Sequence, residues 1–127
     1  MKNILLLLFV VFQVNAQKFT AAEITAWEKQ AKDVTIHRDK WGIPHVEGKT
    51  DADAVFGLIY AQCEDDFARV ELNYVEKLGR LSEIEGDIKL YNDLQIKLLI
   101  DEKATKQDYA KAAPWMKKLL NAHAAGI

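Results

Sequence analysis

VTIHRDKWGIPHVEGKTDADAVFGLIYAQCEDDFARVELNYVEKLGRLSEIEG, residues 34–86, decides how this chain folds. Val34, Ile36 and Arg38 alternate with Thr35, His37 and Asp39, so the two sets lie on opposite faces of a strand that opens on β-branched residues. Asp39-Lys40-Trp41-Gly42 ends that strand, and Gly42 suits a hairpin turn. Ile43-Pro44-His45-Val46 restarts extended structure. Pro44 drives Ile43 out of the helical region and cannot donate a ladder hydrogen bond, so the second strand is expected to be short or on an edge.

After the turn at Gly48-Lys49, Thr50 and Asp53 have the spacing of a helix-capping pair, and Asp51 adds negative charge at the positive helix end. Ala52, Phe56, Ile59, Cys63, Phe67, Val70, Tyr74 and Leu78 then recur at steps of three and four. That stripe predicts one long amphipathic helix stopped by Gly79. Val55, Leu58, Tyr60 and Leu72 widen it, so its first half is expected to be buried on more than one side. Gly57 lies inside the stripe, where it costs about 1 kcal/mol against alanine, and close approach of another backbone would justify it.

Working outward, Thr20 and Glu23 have capping-box spacing, so 17–32 reads either as a short helix from Thr20 to Ala31 or as a loose entry segment. Downstream, Arg80–Glu85 reads as a helical turn ended by Gly86. Ile88, Tyr91, Leu94, Leu98 and Leu99 make a further helical pattern. Asp101–Gln107 has no stripe and reads as a loop or frayed helix end. Pro114 opens a last helix through Trp115, Met116, Leu119 and Leu120 to Gly126.

The first 16 residues read as a secretory signal: a short polar start with Lys2, an apolar run from Ile4 to Phe12, and Val14-Asn15-Ala16 as a small-residue cleavage site before Gln17. The run is too short for a membrane-spanning helix. Removing it takes the formal charge from -2 to -3, a balance without the clustered positive charge of a nucleic-acid surface. The expected location is the periplasm or the exterior, with neither a membrane nor a nucleic acid as partner. Cys63 is the single cysteine, so no internal disulfide can staple the 127-residue chain. The expected organisation is 1–16 signal, 17–33 lead-in segment, and 34–127 an incomplete domain.

Side chains with chemical potential are few. His37 and His45 flank the turn and can face each other across a hairpin beside Asp39, but zinc ordinarily takes three or four ligands and no third has suitable spacing. Structural hydrogen bonding is the plainer reading, and His123 reads as an ordinary residue of the last helix. Glu64, Asp65 and Asp66 form an acidic cluster in mid-helix. It is either a solvated face, with Asp66 paired to Arg69 one turn on, or a polar contact with the rest of a larger domain. Cys63, set in the apolar stripe, reads as a small hydrophobe rather than a nucleophile, since no basic partner is placed beside it. Ser82 is the only serine. No catalytic, cofactor-binding or metal-binding residue is assigned.

In order along the chain stand Arg38-Asp39, Trp41-Gly42-Ile43-Pro44-His45-Val46, Phe56-Gly57-Leu58-Ile59-Tyr60-Ala61-Gln62, Glu64-Asp65-Asp66-Phe67, and Gly79-Arg80-Leu81-Ser82-Glu83, with Leu119–Ile127 after them. Together they resemble the opening of the penicillin acylase family, from Val34 to Ile127. Cys63 departs from the commoner residue there. The acidic form of the 64–67 element is similar to the branch of cephalosporin, lactone and aculeacin acylases.

The resemblance implies an α+β class: the N-terminal part of a four-layer αββα N-terminal nucleophile hydrolase, here mostly helical with a short β-hairpin. It implies an exported precursor cleaved into α and β chains. The β chain's first residue, a serine, is the nucleophile, and its own α-amine is the base. The substrates implied are linear amides, of the β-lactam side-chain or acyl-homoserine lactone kind. No cofactor is implied in this segment; calcium belongs to the full-length family member, and the downstream β chain of the same precursor is the expected partner. The alternative is a small exported helical binding or accessory protein without activity.

Overall fold

A computed structural model describes residues 19–127, so the expected signal segment lies outside the described residues. Helix α1, Ala21–Ala31, begins at the Thr20 cap, whose hydroxyl accepts from Glu23 N while the Glu23 carboxylate accepts from Thr20 N at 2.8 Å. Phe19 closes edge-on against Trp27, with ring centroids 4.9 Å apart.

Strands β1 (Val34–Arg38) and β2 (Pro44–Gly48) form an antiparallel hairpin in which Ile36 faces Val46 and His37 faces His45. Each strand has five residues, and in this two-stranded sheet β2 is an edge strand, one of the two outcomes expected from Pro44. Val34, Ile36, Pro44 and Val46 are half-buried on one face, and the histidines lie on the exposed one. Lys49 N donates to Asp33 O at 3.0 Å and closes the base of the hairpin.

Helix α2, Asp51–Lys77, starts at the expected Thr50–Asp53 cap. It ends in a Schellman turn: Gly79 N donates to Glu76 O and Arg80 N to Val75 O, with Gly79 at φ +64°. Two expectations about this helix change. It is not one continuous rod, because Asp66 has non-helical φ −156° and ψ 74° and divides it. Its stripe is also not buried along its length. Phe56, Gly57, Ile59 and Ala61 are buried, whereas Phe67, Tyr74 and Leu78 are exposed, and so are Leu58 and Tyr60, which were expected to widen the buried side of the first half. Periodicity reports that a face is apolar; it does not say which neighbour covers it.

Gly57 is kept by close approach, but of side chains rather than of backbone. A Cβ there would lie 2.4 Å from Val34 Cγ1 and 2.7 Å from Val46 Cγ1, so the apolar face of the hairpin sits directly on the helix. On the other side of the same turn, Gly126 brings helix α6 (Pro114–Gly126) against Phe56 and Ile59; a Cβ at 126 would stand 2.5 Å from Phe56 O. The centre of the molecule is thus one turn of α2 held between the hairpin and α6, with Ala122 buried beside it.

Helix α3 (Ser82–Glu85) ends at Gly86, and a 3-10 turn at Asp87–Lys89 leads into α4 (Leu90–Leu99). Asp101–Gln107, expected as a loop or frayed end, instead enters α5 (Glu102–Lys111). The Asp101 carboxylate caps it, accepting from Lys103 N and Ala104 N at 2.7 and 3.0 Å. A good N-cap and i,i+4 pairs such as Glu102–Lys106 support a helix that has no apolar stripe. The α+β reading holds at this level: helices with one two-stranded antiparallel sheet among the described residues.

The apolar pattern of the 3-10 turn and α4 faces outward. Ile88 is 83 % exposed, Tyr91 83 % and Leu98 85 %. A face of that kind is a surface awaiting a neighbour rather than a core. A urea titration of residues 17–127, followed by circular dichroism, is therefore expected to give a broad transition. A sharp cooperative one would mark an autonomous domain.

Candidate functional site

The polar residues singled out in the sequence gather at the tip of the hairpin and the middle of α2. Arg38, at the end of β1, is the hub. Its Nη1 donates to Gly42 O at 2.9 Å, bracing the turn, and its Nη2 lies 2.6 Å from Glu64 Oε2 and 2.8 Å from Asp65 Oδ1. Those carboxylates, Asp65 before Glu64, raise the guanidinium pKa above its ordinary value. Asp39 organises the turn itself. Its carboxylate accepts from Trp41 N at 2.8 Å and Ile43 N at 3.0 Å, and these two donors hold its pKa below the usual range. Lys40 Nζ stands 4.1 Å over the Trp41 ring.

The acidic cluster divides its work. Glu64 and Asp65 bind Arg38, so the reading of a merely solvated face is incomplete for them. Asp66 pairs with Arg69 as the spacing predicts, at 2.9 Å, and its carboxylate also accepts from Arg69 N at 3.1 Å, capping the second half of α2. His45 Nε2 is 3.6 Å from Asp39 Oδ2, beyond a direct hydrogen bond. Although His37 and His45 do face each other, no group of three His, Cys, Asp or Glu among the described residues is placed to hold a metal ion.

A second polar site was missing from the sequence reading. Asp93, on α4, is 3 % exposed, and its carboxylate accepts from Leu81 N and Ser82 N, both at 2.8 Å. Burial pushes its pKa up, but the hydrogen bonds from Ser82 and Leu81 and the charge of Lys97 outweigh that and leave it lowered. One carboxylate thereby fixes the Gly79–Glu83 element onto α4. Asp93 lies at a half-polar position of a weak pattern, and only burial distinguishes it from the other aspartates. Because the folded pKa is the lower one, this stabilisation is complete above the ordinary carboxylate pKa of about 3.9 and is lost as pH falls through the folded value. Asp93→Asn is expected to remove that acid dependence and to loosen Leu81–Glu85. Amide exchange at Leu81 and Ser82, followed from pH 6 to acid, checks it.

Ser82 is thus engaged in structure, and Cys63 is half-buried in α2. Between α2 and α6, a shallow cleft of about 280 Å³ is lined by Ile59 and Gln62 before the break and by Asn73, Tyr74 and His123 beyond it. There the Tyr74 hydroxyl lies 3.3 Å from His123 Nδ1, so His123 has a partner that its place in the last helix did not foretell. Burial raises the Tyr74 pKa. These contacts position segments and shape the surface.

Comparison with known proteins agrees with the motif order. The family described as penicillin amidase matches residues 33–127. A relative named penicillin acylase 2 proenzyme, from a Pseudomonas species, is 32 % identical over 94 residues, covering 74 % of this chain and 12 % of the relative. Acyl-homoserine lactone acylase QuiP of Pseudomonas putida is 28 % identical over 97 residues, covering 76 % of this chain and 12 % of the relative. The protein of the same name from Pseudomonas aeruginosa is also 28 % identical over 97 residues. The chain belongs to the penicillin amidase family. It spans about one eighth of the length of these relatives, one of which is named as a proenzyme.

Proposed function

We propose that this chain is the N-terminal segment of the α chain of an exported acylase that hydrolyses linear amides through an N-terminal serine supplied by a downstream β chain. The family match over residues 33–127 carries this reading. The names of the relatives suggest two substrate kinds, penicillin-type amides and acyl-homoserine lactones. The exposed apolar side chains Ile88 in the 3-10 turn and Tyr91 and Leu98 on α4 fit a segment that packs within a larger domain. In this reading the hairpin joins the sheet of an αββα fold, residues 1–16 direct export to the periplasm or beyond, and any calcium site is formed by downstream residues. No described helix is long and apolar enough to cross a membrane.

Sequencing of the encoding locus past Ile127 tests this directly. The expected result is further α chain, a linker and a processing junction that leaves a serine at a new N-terminus. Expression of that whole precursor should yield two chains and amidase activity, both lost when the junction serine becomes alanine. A locus encoding none of this would overturn the proposal in favour of a small exported accessory protein.

A further inference from the structure

The hairpin has two outer edges, and they are not equivalent. Asp39 N donates to Ile43 O at one end of the ladder, and Lys49 N donates to Asp33 O at the other. An antiparallel ladder alternates between bonded and unbonded pairs, so these two bonds fix which residues point inward. In the observed register, Thr35 bonds across to Glu47 and His37 to His45. The N–H and C=O groups of Val34, Ile36 and Arg38 therefore point away from β2. On the other edge, Val46 and Gly48 point away from β1, as does the C=O of Pro44. Among the described residues, none of these outward groups meets a backbone partner. Pro44 has no N–H, so the edge of β2 lacks a donor where the edge of β1 is complete. The flanks differ as well. A groove of about 450 Å³ opens beside β1, lined chiefly by Trp27, Ala31, Val34, Ile36, Phe56 and Tyr60, and by no residue of β2. A strand laid along β1 would send every second side chain into that groove.

We propose that the outer edge of β1 is the docking edge for a strand from the downstream part of the precursor. That strand adds to the hairpin through main-chain hydrogen bonds and fills the groove between α1 and α2 with its alternate side chains. A two-stranded hairpin is marginal alone, and a third strand over an apolar face is an ordinary way to stabilise it. The occupant is argued from length: the chain spans about one eighth of its relatives, so most of a family member lies outside it. The inference rests on the acylase-precursor reading and deepens it by naming the edge at which the rest of the fold joins.

The test compares amide exchange, resolved by residue with fragmentation mass spectrometry, in the 127-residue chain and in the processed two-chain protein. In the shorter chain, the outward amides of Ile36 and Val46 should exchange faster than the inward amides of His37 and His45. In the two-chain protein, Ile36 should slow by about 100-fold or more, and Val46 much less. Ile36→Pro and Val46→Pro form a matched pair in the precursor. Each removes an outward N–H and a β-branched side chain from the same face, and neither removes a rung of the hairpin. Ile36→Pro should cut the yield of processed, active protein severely, and Val46→Pro less. Active two-chain protein in which Ile36 exchanges as fast as in the shorter chain would overturn the inference and leave the acylase reading standing. Slowing at Val46 rather than Ile36 would assign docking to β2 and overturn it too. Protection of Ile36 in the shorter chain that grows with concentration would overturn it in favour of a second copy. Absence of processing and amidase activity in the unsubstituted precursor would instead strike the acylase reading, and the inference with it.

Discussion

Replacing Gly57 with leucine is expected to release the hairpin from α2. The position is mid-helix, where leucine is a better helix former by about 1 kcal/mol, so local propensity alone predicts a gain. Packing predicts the opposite. Even a single Cβ would sit 2.4 Å from Val34 Cγ1 and 2.7 Å from Val46 Cγ1, and both valines are β-branched with little rotamer freedom to retreat. Overpacking of this kind costs roughly 1–3 kcal/mol for small insertions and more for a whole side chain. With 1.4 kcal/mol per decade, protection of the hairpin amides from exchange should fall about 10- to 100-fold. Gly57→Ala should show the same effect in smaller measure. Exchange monitored at His37 and His45 reports this opening without requiring a cooperative melt of the whole chain. Unchanged protection in the leucine variant would mean that the hairpin is held elsewhere.

The purified 127-residue chain is expected to hydrolyse no amide, although its relatives are named as acylases. Acyl transfer needs a nucleophile, a base within about 3 Å of it, and donors aimed at the developing oxyanion. Of the two side chains that could imitate a nucleophile, Cys63 is half-buried within α2, and Ser82 sits in the turn held by Asp93. Assays against phenylacetyl, glutaryl and long-chain acyl amides should match the buffer rate. Turnover that disappears in Cys63→Ala or Ser82→Ala would show that one of these residues is activated after all. The expected contrast is the full precursor, whose activity should depend on a downstream serine that is matched by no residue of this chain.

The sequence by itself determined most of the local structure and the family. Thr50–Asp53 placed a helix start, Thr20–Glu23 offered another, Gly79 placed a stop, and Pro44 marked a strand that lies on an edge, because caps, stops and proline act through groups within a few residues. The ordered motifs from Arg38 to Glu83 were legible for the same reason: they are contiguous in the chain. Tertiary structure alone decided the rest. The apolar stripe runs from Cys63 to Phe67 straight through the break at Asp66, and carries no record of it. Asp93 became a buried acceptor only because Leu81 and Ser82 fold back onto α4. The outward-facing Ile88, Tyr91 and Leu98 follow the same periodicity as core residues; apolar spacing sets which residues share a face, and only the packing of other elements decides whether that face is covered.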